Sequence, residues 1–413
     1  MTKTKSRATG RFRSRVDIFV TGSKVTLVLQ GAQIVTAGVA VLVGLLAAAT
    51  MAPTGRGDLA FWLQIGYVLT TLALLGIERP YAARGADSFD VAGADLVRLI
   101  KPAVFIVGLI FIGSGVTYGL GETELAVLLV GLGFFVISNQ FVRFLRTAYI
   151  SSASPNRFIF FSLAGQAILL TGALALYLHR VTEPLAWFAL YIVSSLPYAV
   201  PILRSAWRGK PSKTLALREV RRAGLHLLPA SFGNTAMLRS DRLLLPVLAS
   251  SEALGLYIVV ASVMELASWP VQNWVDSSLK RWRLVTPSGS QIVASIARTT
   301  AFSVTMSVAT GLASAAVIVY FLPESYRPSL SLIIPLGMAG VIYSLSRVLQ
   351  GHLVSRGWNT SVSISELVGM VVSVGLYLIL IPTQGAQGAA WGSLAGYSAC
   401  FFVTICRLAQ AVR

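Results

Sequence analysis

Apolar segments follow one another along almost the whole chain from Val25 onward. A helix of about 20 residues, rising about 1.5 Å per residue, spans the ~30 Å hydrocarbon core of a bilayer. Inside that core only helices and closed barrels satisfy all the backbone polar groups. The repetition therefore predicts an all-α polytopic membrane protein with no sizeable soluble domain.

Composition and charge support a membrane location. Hydrophobic residues make up 55% of the chain and charged residues only 12%, whereas roughly a quarter of the residues in soluble domains are charged. The net charge of +18 raises the question of nucleic-acid binding. However, the basic residues form short clusters between apolar segments, without the interleaved aromatic side chains that stack on bases. We therefore predict a lipid bilayer, and no nucleic acid, as the partner.

Apolar runs and the polar residues between them predict twelve membrane-spanning helices. The predicted spans are approximately 25 to 50, 60 to 77, 99 to 119, 125 to 148, 157 to 178, 186 to 204, 223 to 248, 254 to 275, 299 to 322, 329 to 350, 362 to 381 and 386 to 408. The predicted domains are a basic cytoplasmic segment 1–24, a first six-helix lobe 25–204, a basic cytoplasmic linker 205–222, a second six-helix lobe 223–408 and a cytoplasmic tail 409–413.

The distribution of basic residues predicts the orientation. If the N-terminus is cytoplasmic, 29 of the 34 Lys and Arg residues fall in cytoplasmic segments. The others are Arg56, Arg180, Arg239, Arg242 and Arg327. The positive-inside rule requires such an asymmetry. We therefore expect a multi-pass protein of the cytoplasmic membrane with both termini in the cytoplasm.

The two halves of the chain show a weak internal repeat. The first span begins at Val25 and the seventh at Ala223, and the same shift of 198 residues places Gly57 on Gly255. Because six helices per half is an even number, both halves enter the membrane from the same side. The repeat is then parallel, with its axis along the membrane normal. Two lobes related in this way would face each other around a central cleft.

Three charged residues lie close together inside an apolar run, namely Arg239, Asp241 and Arg242. The helical rise places Asp241 about 27 Å from the cytoplasmic start of its helix, near the outer boundary. In one interpretation the arginines snorkel to the interface around an Arg–Asp ion pair. In the other, Arg239 or Arg242 faces the cleft and offers a bidentate fork to a phosphate, with Asp241 holding it in place.

Two acidic residues of the second half receive different interpretations. Glu265 lies about 16 Å into the eighth helix, near the membrane midplane. It is either protonated and hydrogen-bonded to a neighbouring helix, or it titrates during transport or contacts a cationic or hydroxyl-rich ligand. Glu366 follows Ser363 by three residues, and this spacing predicts a capping box at the start of the eleventh helix.

Arg143 and Arg146 end the fourth helix at its cytoplasmic edge, on one helical face. They either snorkel to the interface or attract an anionic head group to the inner mouth of the cleft. The sequence contains no nucleophile motif, phosphate loop or paired-carboxylate signature. His226 and His352 form no metal-ligand spacing with an acid or a cysteine. We therefore predict no enzyme, no cofactor and no bound metal.

Three pieces of sequence resemble bacterial polysaccharide flippases, the O-antigen and teichoic-acid type transporters of the multidrug/oligosaccharidyl-lipid/polysaccharide (MOP) superfamily. The pieces are Asp241-Arg-Leu-Leu-Leu followed by Glu252-Ala-Leu-Gly-Leu-Tyr257, Gly55-Arg-Gly-Asp-Leu-Ala60, and Gln384-Gly-Ala-Gln-Gly-Ala-Ala-Trp391. The resemblance implies a flippase for a lipid-diphosphate-linked oligosaccharide that acts with polysaccharide polymerase and glycosyltransferase machinery.

The sequence departs from the family pattern at Pro246, where these proteins usually have glycine, and this puts the helix shape near Asp241 in doubt. A cation-coupled drug exporter of the same superfamily, with Glu265 as the coupling acid, is the first alternative. It is disfavoured because the first span contains no acid. A membrane glycosyltransferase or polymerase would need a larger loop with catalytic acids. A scaffold subunit without transport is the last alternative.

Overall fold

A computed structural model describes residues 35–84, 86–152, 155–212, 214–284 and 288–412, together with Gly31. The helices are α1 (Val35–Thr50), α2 (Pro53–Ala73), α3 (Glu78–Arg84), α4 (Phe89–Leu99), α5 (Lys101–Gly119), α6 (Thr123–Ser152), α7 (Pro155–Leu178), α8 (Pro184–Ser195), α9 (Ala199–Arg208), α10 (Thr214–Leu248), α11 (Ser251–Leu284), α12 (Gly289–Tyr320), α13 (Ile333–Ser355), α14 (Asn359–Gln384) and α15 (Ala386–Val412). The predicted basic segment 1–24 and most of the start of the first span lie outside the described residues.

In the described part of the chain twelve helices match the predicted crossings, counting α8 and α9 as one and omitting the short α3 and α4. Among the described residues, nine spans are long and apolar enough to cross a membrane. The other three crossings are α1, which is described over a shorter length, and α2 and α10, which are less apolar. The predicted all-α fold with about twelve helices is confirmed. We call the end with the α1–α2 and α10–α11 connections the outer end, following the predicted orientation, and the opposite end the inner end.

Helix α2 begins earlier than predicted, and helix α10 is continuous through the proline that had put its shape in doubt. The second span was expected to begin near residue 60, but α2 begins at Pro53, so Arg56 and Gly57 lie in its first turn. Proline suits this position because the first helical N–H needs no partner within the helix. Helix α10 continues through Pro246 to Leu248, so the proline does not break the helix near Asp241.

The inner end carries two helices, α3 and α4, that the sequence did not predict. Ser88 caps α4, since its side chain accepts a hydrogen bond from the Val91 N–H at 3.3 Å. Helix α4 buries Phe89 and Leu96 against α6 and α9. Helix α9 is offset from α8 by a short 3₁₀ turn that contains Pro197, as expected where proline interrupts the helical hydrogen bonds.

A buried aspartate holds the connection between the lobes against the inner end. Asp95 on α4 is 1% exposed and accepts three hydrogen bonds. The donors are the Tyr81 hydroxyl at 2.9 Å and the backbone N–H and side-chain hydroxyl of Ser212, both at 2.7 Å. Because Ser212 lies between α9 and α10, these bonds fix the path of the chain from the first half into the second.

Replacing Asp95 with alanine should release this connection. Hydrogen bonds to a charged acceptor contribute about 1.5–3 kcal/mol each, so we expect trypsin to cut after the exposed Arg208, at the start of the connection, about tenfold faster or more. Limited proteolysis of the purified protein measures the rate. Asp90→Asn is the matched control, because Asp90 is exposed on the same helix. Equal cleavage of the two variants would show that Asp95 does not restrain the connection.

The two halves touch at the outer end through the two glycines that the repeat had paired. A Cβ added to Gly57 would lie 1.7 Å from the Ser251 carbonyl oxygen, and one added to Gly255 would lie 1.8 Å from the Pro53 carbonyl oxygen. Each position is again 198 residues from its counterpart. Helices α2 and α11 thus cross backbone against backbone, which only small residues allow. At the inner end, Gly76 and Gly224 bring α2 and α10 into similar contact.

Candidate functional site

A cluster of charged side chains lies in the second half, on the helices that face the first. Helices α10 and α11 both pack against α2. Arg239 and Arg242 come from α10, and Glu265 comes from α11. The side chains of Arg239 and Glu265 are 35% and 34% exposed, whereas that of Arg242 is 7% exposed. The cluster therefore has a buried part and a part that opens toward the space between the halves.

The direction of the helices explains how these residues meet. Side chains lean toward the N-terminus of their helix, so those of α10 lean inward and those of α11 lean outward. Arg239 Nη1 lies 3.5 Å from Glu265 Oε1, and Arg242 Nη2 donates a hydrogen bond to the same oxygen. Counting residues along separate helices had placed the arginines near the boundary and Glu265 near the midplane. The structure joins them because long side chains bridge that difference.

Asp241 is not the ionic partner that one interpretation of the sequence gave to the arginines. Its carboxylate is buried and accepts hydrogen bonds from the Tyr257 hydroxyl at 2.6 Å and from the backbone N–H of Arg242 at 2.8 Å. Tyr257 lies 3.4 Å from Ser393 Oγ, which is 2.8 Å from the Tyr377 hydroxyl. Asp241 thus joins α10 to α11, and through these hydroxyls to α14 and α15, and holds the helix that presents Arg239 and Arg242.

Arg143 and Arg146 do not act together in the structure. Arg143 Nη1 lies 3.2 Å from Glu78 Oε2, and its Nη2 donates to the Thr71 hydroxyl at 3.0 Å. Thr71 and Glu78 also line a cavity between α2 and α10, with Phe232 on the opposite wall. Arg146 is exposed, and no described bond joins it to Arg143. Of these two arginines, it is therefore Arg143 that lies beside the space between the two halves near the inner end.

Glu366 is not a capping residue, so this prediction is wrong. Helix α14 begins at Asn359, and Glu366 lies in its third turn. Its carboxylate is 3.6 Å from Arg347 Nη1 on α13, and the two side chains are 9% and 20% exposed. The motif Ser363–Glu366 matched because serine and glutamate at this spacing also occur inside helices. The actual role of Glu366 is to pair with a cation inside the second half.

Sequence reasoning overlooked two further polar residues on α2. Arg56 is only 5% exposed, although the sequence had placed it among the outer charges. Tyr67, from the first half, lies within electrostatic range of Arg239 and of Arg143. An arginine and a tyrosine eleven residues apart, or about three helical turns, share a face, but only the correct start of α2 reveals that relation. Among the described residues, no group of His, Cys, Asp and Glu side chains is arranged to hold a metal ion.

Solved structures that share this fold include membrane transporters, one of them described as a member of the MOP superfamily. The lipid II flippase MurJ in an inward closed conformation has a TM-score of 0.71 at 12% identity, covering 93% of this chain and 87% of MurJ. A MATE multidrug resistance transporter of the MOP superfamily in its inward-facing conformation has a TM-score of 0.66 at 14% identity, covering 90% of this chain and 93% of that transporter. The MATE multidrug transporter DinF-BH has a TM-score of 0.63 at 15% identity, covering 94% of each chain.

At these identities the likeness establishes the fold alone. No family model matches the sequence, and no curated protein matches it. The chain therefore shares the fold of these transporters, while the resemblance to polysaccharide flippases stays a prediction.

Proposed function

We propose that this chain, which has the fold of MOP transporters, is a flippase. It moves a lipid-diphosphate-linked oligosaccharide from the inner to the outer leaflet for surface polysaccharide assembly. The observation that supports this most is the composition of the charged cluster. Two arginines share the one carboxylate of Glu265, and Asp241 is buried against Tyr257. The face of the cluster toward the other half is therefore positive, which suits a phosphate better than a cation.

The transport cycle follows from the two contact regions. A head group enters near the inner end, where Arg143 lies beside the cavity between α2 and α10. It then contacts Arg239 and Arg242, and leaves when α2 and α11 separate at the outer crossing. The lipid tail stays in the bilayer throughout. Outward movement of an anion from a negative cytoplasm gains about 2.3 kcal/mol per charge for each 100 mV crossed.

A cation-coupled exporter is the second candidate, because MATE transporters have the same fold. Glu265 is then the coupling acid, since 34% of its side chain is exposed. The pairing of this acid with two arginines argues against it, because a cation would have to displace them. The two candidates differ in which substrate accumulates when the gene is deleted.

Deletion of the gene tests the proposed function directly. A flippase defect should cause lipid-linked oligosaccharide to accumulate on the cytoplasmic face and surface polysaccharide to decrease. Extraction of lipid-linked sugars, with accessibility to an added glycosidase, measures both the amount and the leaflet. Normal surface polysaccharide without accumulation would falsify the assignment and leave the exporter as the better candidate.

At the residue level, Arg242→Ala should reduce export much more than Arg327→Ala. Arg242 lies buried in the cluster, whereas Arg327 pairs with Glu324 at 3.0 Å on the surface, with 59% of its side chain exposed. An exposed pair contributes little to stability, about 0–1 kcal/mol, so Arg327→Ala serves as the control for the loss of one positive charge. Export assays in a deletion strain compare the two at equal expression. Equal, negligible effects would make Arg242 a structural residue only.

A further inference from the structure

Arg56 is a buried cation for which the structure shows no acceptor. It lies in the first turn of α2, and 5% of its surface is exposed. Its Nε has no hydrogen-bond partner, and no described hydrogen bond or ion pair reaches the guanidinium. Burying a charge without a partner is costly. Such a group is retained where a ligand supplies the missing negative charge.

The guanidinium lies between the two halves of the chain. A Cβ added to Gly44 on α1 would lie 3.2 Å from its Nη2. Its electrostatic neighbours are Tyr191 on α8, Tyr326 before α13, and Arg242. Asp58 lies only two residues away, but residues at that spacing do not face each other on a helix. The titratable groups that act electrostatically on Arg56 are therefore two phenols and another cation.

The charges of this region do not balance. Arg56, Arg239 and Arg242 supply three positive charges, while Glu265 and Asp241 supply two negative ones. Both carboxylates already have partners, Glu265 in Arg239 and Arg242, and Asp241 in Tyr257. The N-termini of α2 and α11 meet at the crossing beside Arg56, and helix N-termini add partial positive charge. With the partly exposed Asp58 left out of this count, the region lacks one negative charge, and Arg56 is the cation that has no described partner.

We propose that Arg56 is an anion-binding residue of the outer half and receives one phosphoryl group of the transported diphosphate. This inference rests on the proposed function for the source of the phosphoryl group. The planar fork of an arginine fits two phosphate oxygens at once. The second phosphoryl group contacts the arginines of the Glu265 cluster. Binding neutralises the excess charge while the outer end is closed.

The position of Arg56 couples this binding to the opening of the outer end. Gly57, its neighbour, makes the backbone contact with α11 at Ser251. On the other side, the Tyr326 hydroxyl donates a hydrogen bond to the Met51 carbonyl at 3.1 Å and closes the same region. Separation of α2 from α11 would expose Arg56 to outer water, where hydration replaces the phosphate contact. The diphosphate is therefore bound while the outer end is closed and is released when the outer end opens.

Binding of inorganic pyrophosphate to the purified full-length protein in detergent tests the role of Arg56. We expect Arg56→Gln to weaken binding about 10- to 100-fold, as expected for the loss of a bidentate charge-assisted contact. Arg56→Lys should show an intermediate loss, because it keeps the charge but not the fork. Arg327→Gln, which removes an exposed arginine at the same end, should bind as the wild type does. Unchanged pyrophosphate affinity in Arg56→Gln overturns the proposal.

Further arms identify the source of the phosphoryl group and control for folding. A prenyl diphosphate in the micelle should displace pyrophosphate, whereas phosphatidylglycerol should not. Full displacement by phosphatidylglycerol overturns the proposal, because the site would then hold a bulk lipid head group. If Arg56→Gln does not give a monodisperse protein, Arg56→Lys decides: weakened binding by this variant supports the proposal, and wild-type affinity overturns it.

The outcome separates this inference from the proposed function. If reconstituted wild-type protein fails to flip lipid-linked oligosaccharide but binds pyrophosphate through Arg56, the anion site stands and the flippase assignment fails. If flipping occurs but Arg56→Gln binds pyrophosphate normally, the flippase assignment stands and the role of Arg56 fails.

Discussion

Replacing Glu265 with glutamine is expected to destabilise the protein strongly. The change removes the negative charge with which the buried Arg242 and the partly exposed Arg239 pair. Breaking a buried ion pair from one side costs about 3–5 kcal/mol. Because 34% of the Glu265 side chain is exposed, we expect the lower end of this range. Thermal unfolding in detergent measures the loss.

Replacing Arg242 with glutamine should lower the free energy of unfolding less than Glu265→Gln does. This difference is the more specific test of the ion pair. Arg242→Gln leaves Glu265, which is partly exposed and still has Arg239 at 3.5 Å. The double variant Glu265→Gln with Arg242→Gln should recover most of the stability lost in Glu265→Gln alone, since no unpaired buried charge remains. A double-mutant cycle gives the coupling energy. Additive effects in that cycle would contradict the pairing.

Transport by Glu265→Gln separates the two candidate functions. A cation-coupled exporter should lose drug efflux completely, because the group that titrates is gone. A flippase should keep part of its export, since glutamine still accepts hydrogen bonds from both arginines. Residual export of lipid-linked oligosaccharide at equal expression therefore supports the flippase. Complete loss of drug efflux alone supports the exporter.

Replacing Gly57 with alanine is expected to prevent the outer end from closing. The new methyl group would lie 1.7 Å from the Ser251 carbonyl oxygen. A carbonyl of the main chain cannot move aside as a flexible side chain can, so α2 and α11 must separate. Overpacking of this kind costs about 3 kcal/mol, the upper part of the usual range. We expect a lower unfolding temperature and loss of transport, measured in detergent and in cells.

Two other glycine substitutions show whether the effect of Gly57→Ala comes from the close contact between α2 and α11. Gly108→Ala on α5 adds a methyl group with no neighbour within 4 Å, so it should be neutral or slightly stabilising, as alanine favours helices. Gly255→Ala should behave like Gly57→Ala, because its methyl group would meet the Pro53 carbonyl oxygen at 1.8 Å. If Gly57→Ala were as stable as Gly108→Ala, the crossing would not be a close contact.

The sequence predicted the number and order of the membrane helices because each crossing requires a long apolar run. It failed where a helix extends into polar residues. Helix α2 begins at Pro53 rather than near residue 60 because the protein interior, and not lipid, surrounds Arg56. Hydropathy reports the lipid-facing surface and cannot detect burial of a charge between helices. The short helices α3 and α4 were missed for a related reason, since they do not need membrane-spanning length.

The sequence also identified the charged residues that lie within apolar segments, but it did not show how they pair. Arg239, Asp241, Arg242 and Glu265 were identified because charge is rare in apolar segments. Their pairing depends on the direction in which side chains lean on antiparallel helices and on the distances between helices. Counting residues from the start of each helix gives neither. For the same reason the sequence did not reveal the partner of Glu366. Its local sequence matches a capping box, but its carboxylate lies 3.6 Å from a cation on another helix.

The crossing at Gly57 and Gly255 affects how quickly the halves can rearrange. Interlocked side chains must change rotamer or lose packing before two helices can slide, and this sets a barrier. At this crossing the main chains meet directly, with no side chain on either glycine to disengage. The contact therefore holds the two helices close together but offers little resistance when one helix rotates against the other. The exchange rate of the outer end is then determined by the polar contacts around it, including the bond between Tyr326 and Met51.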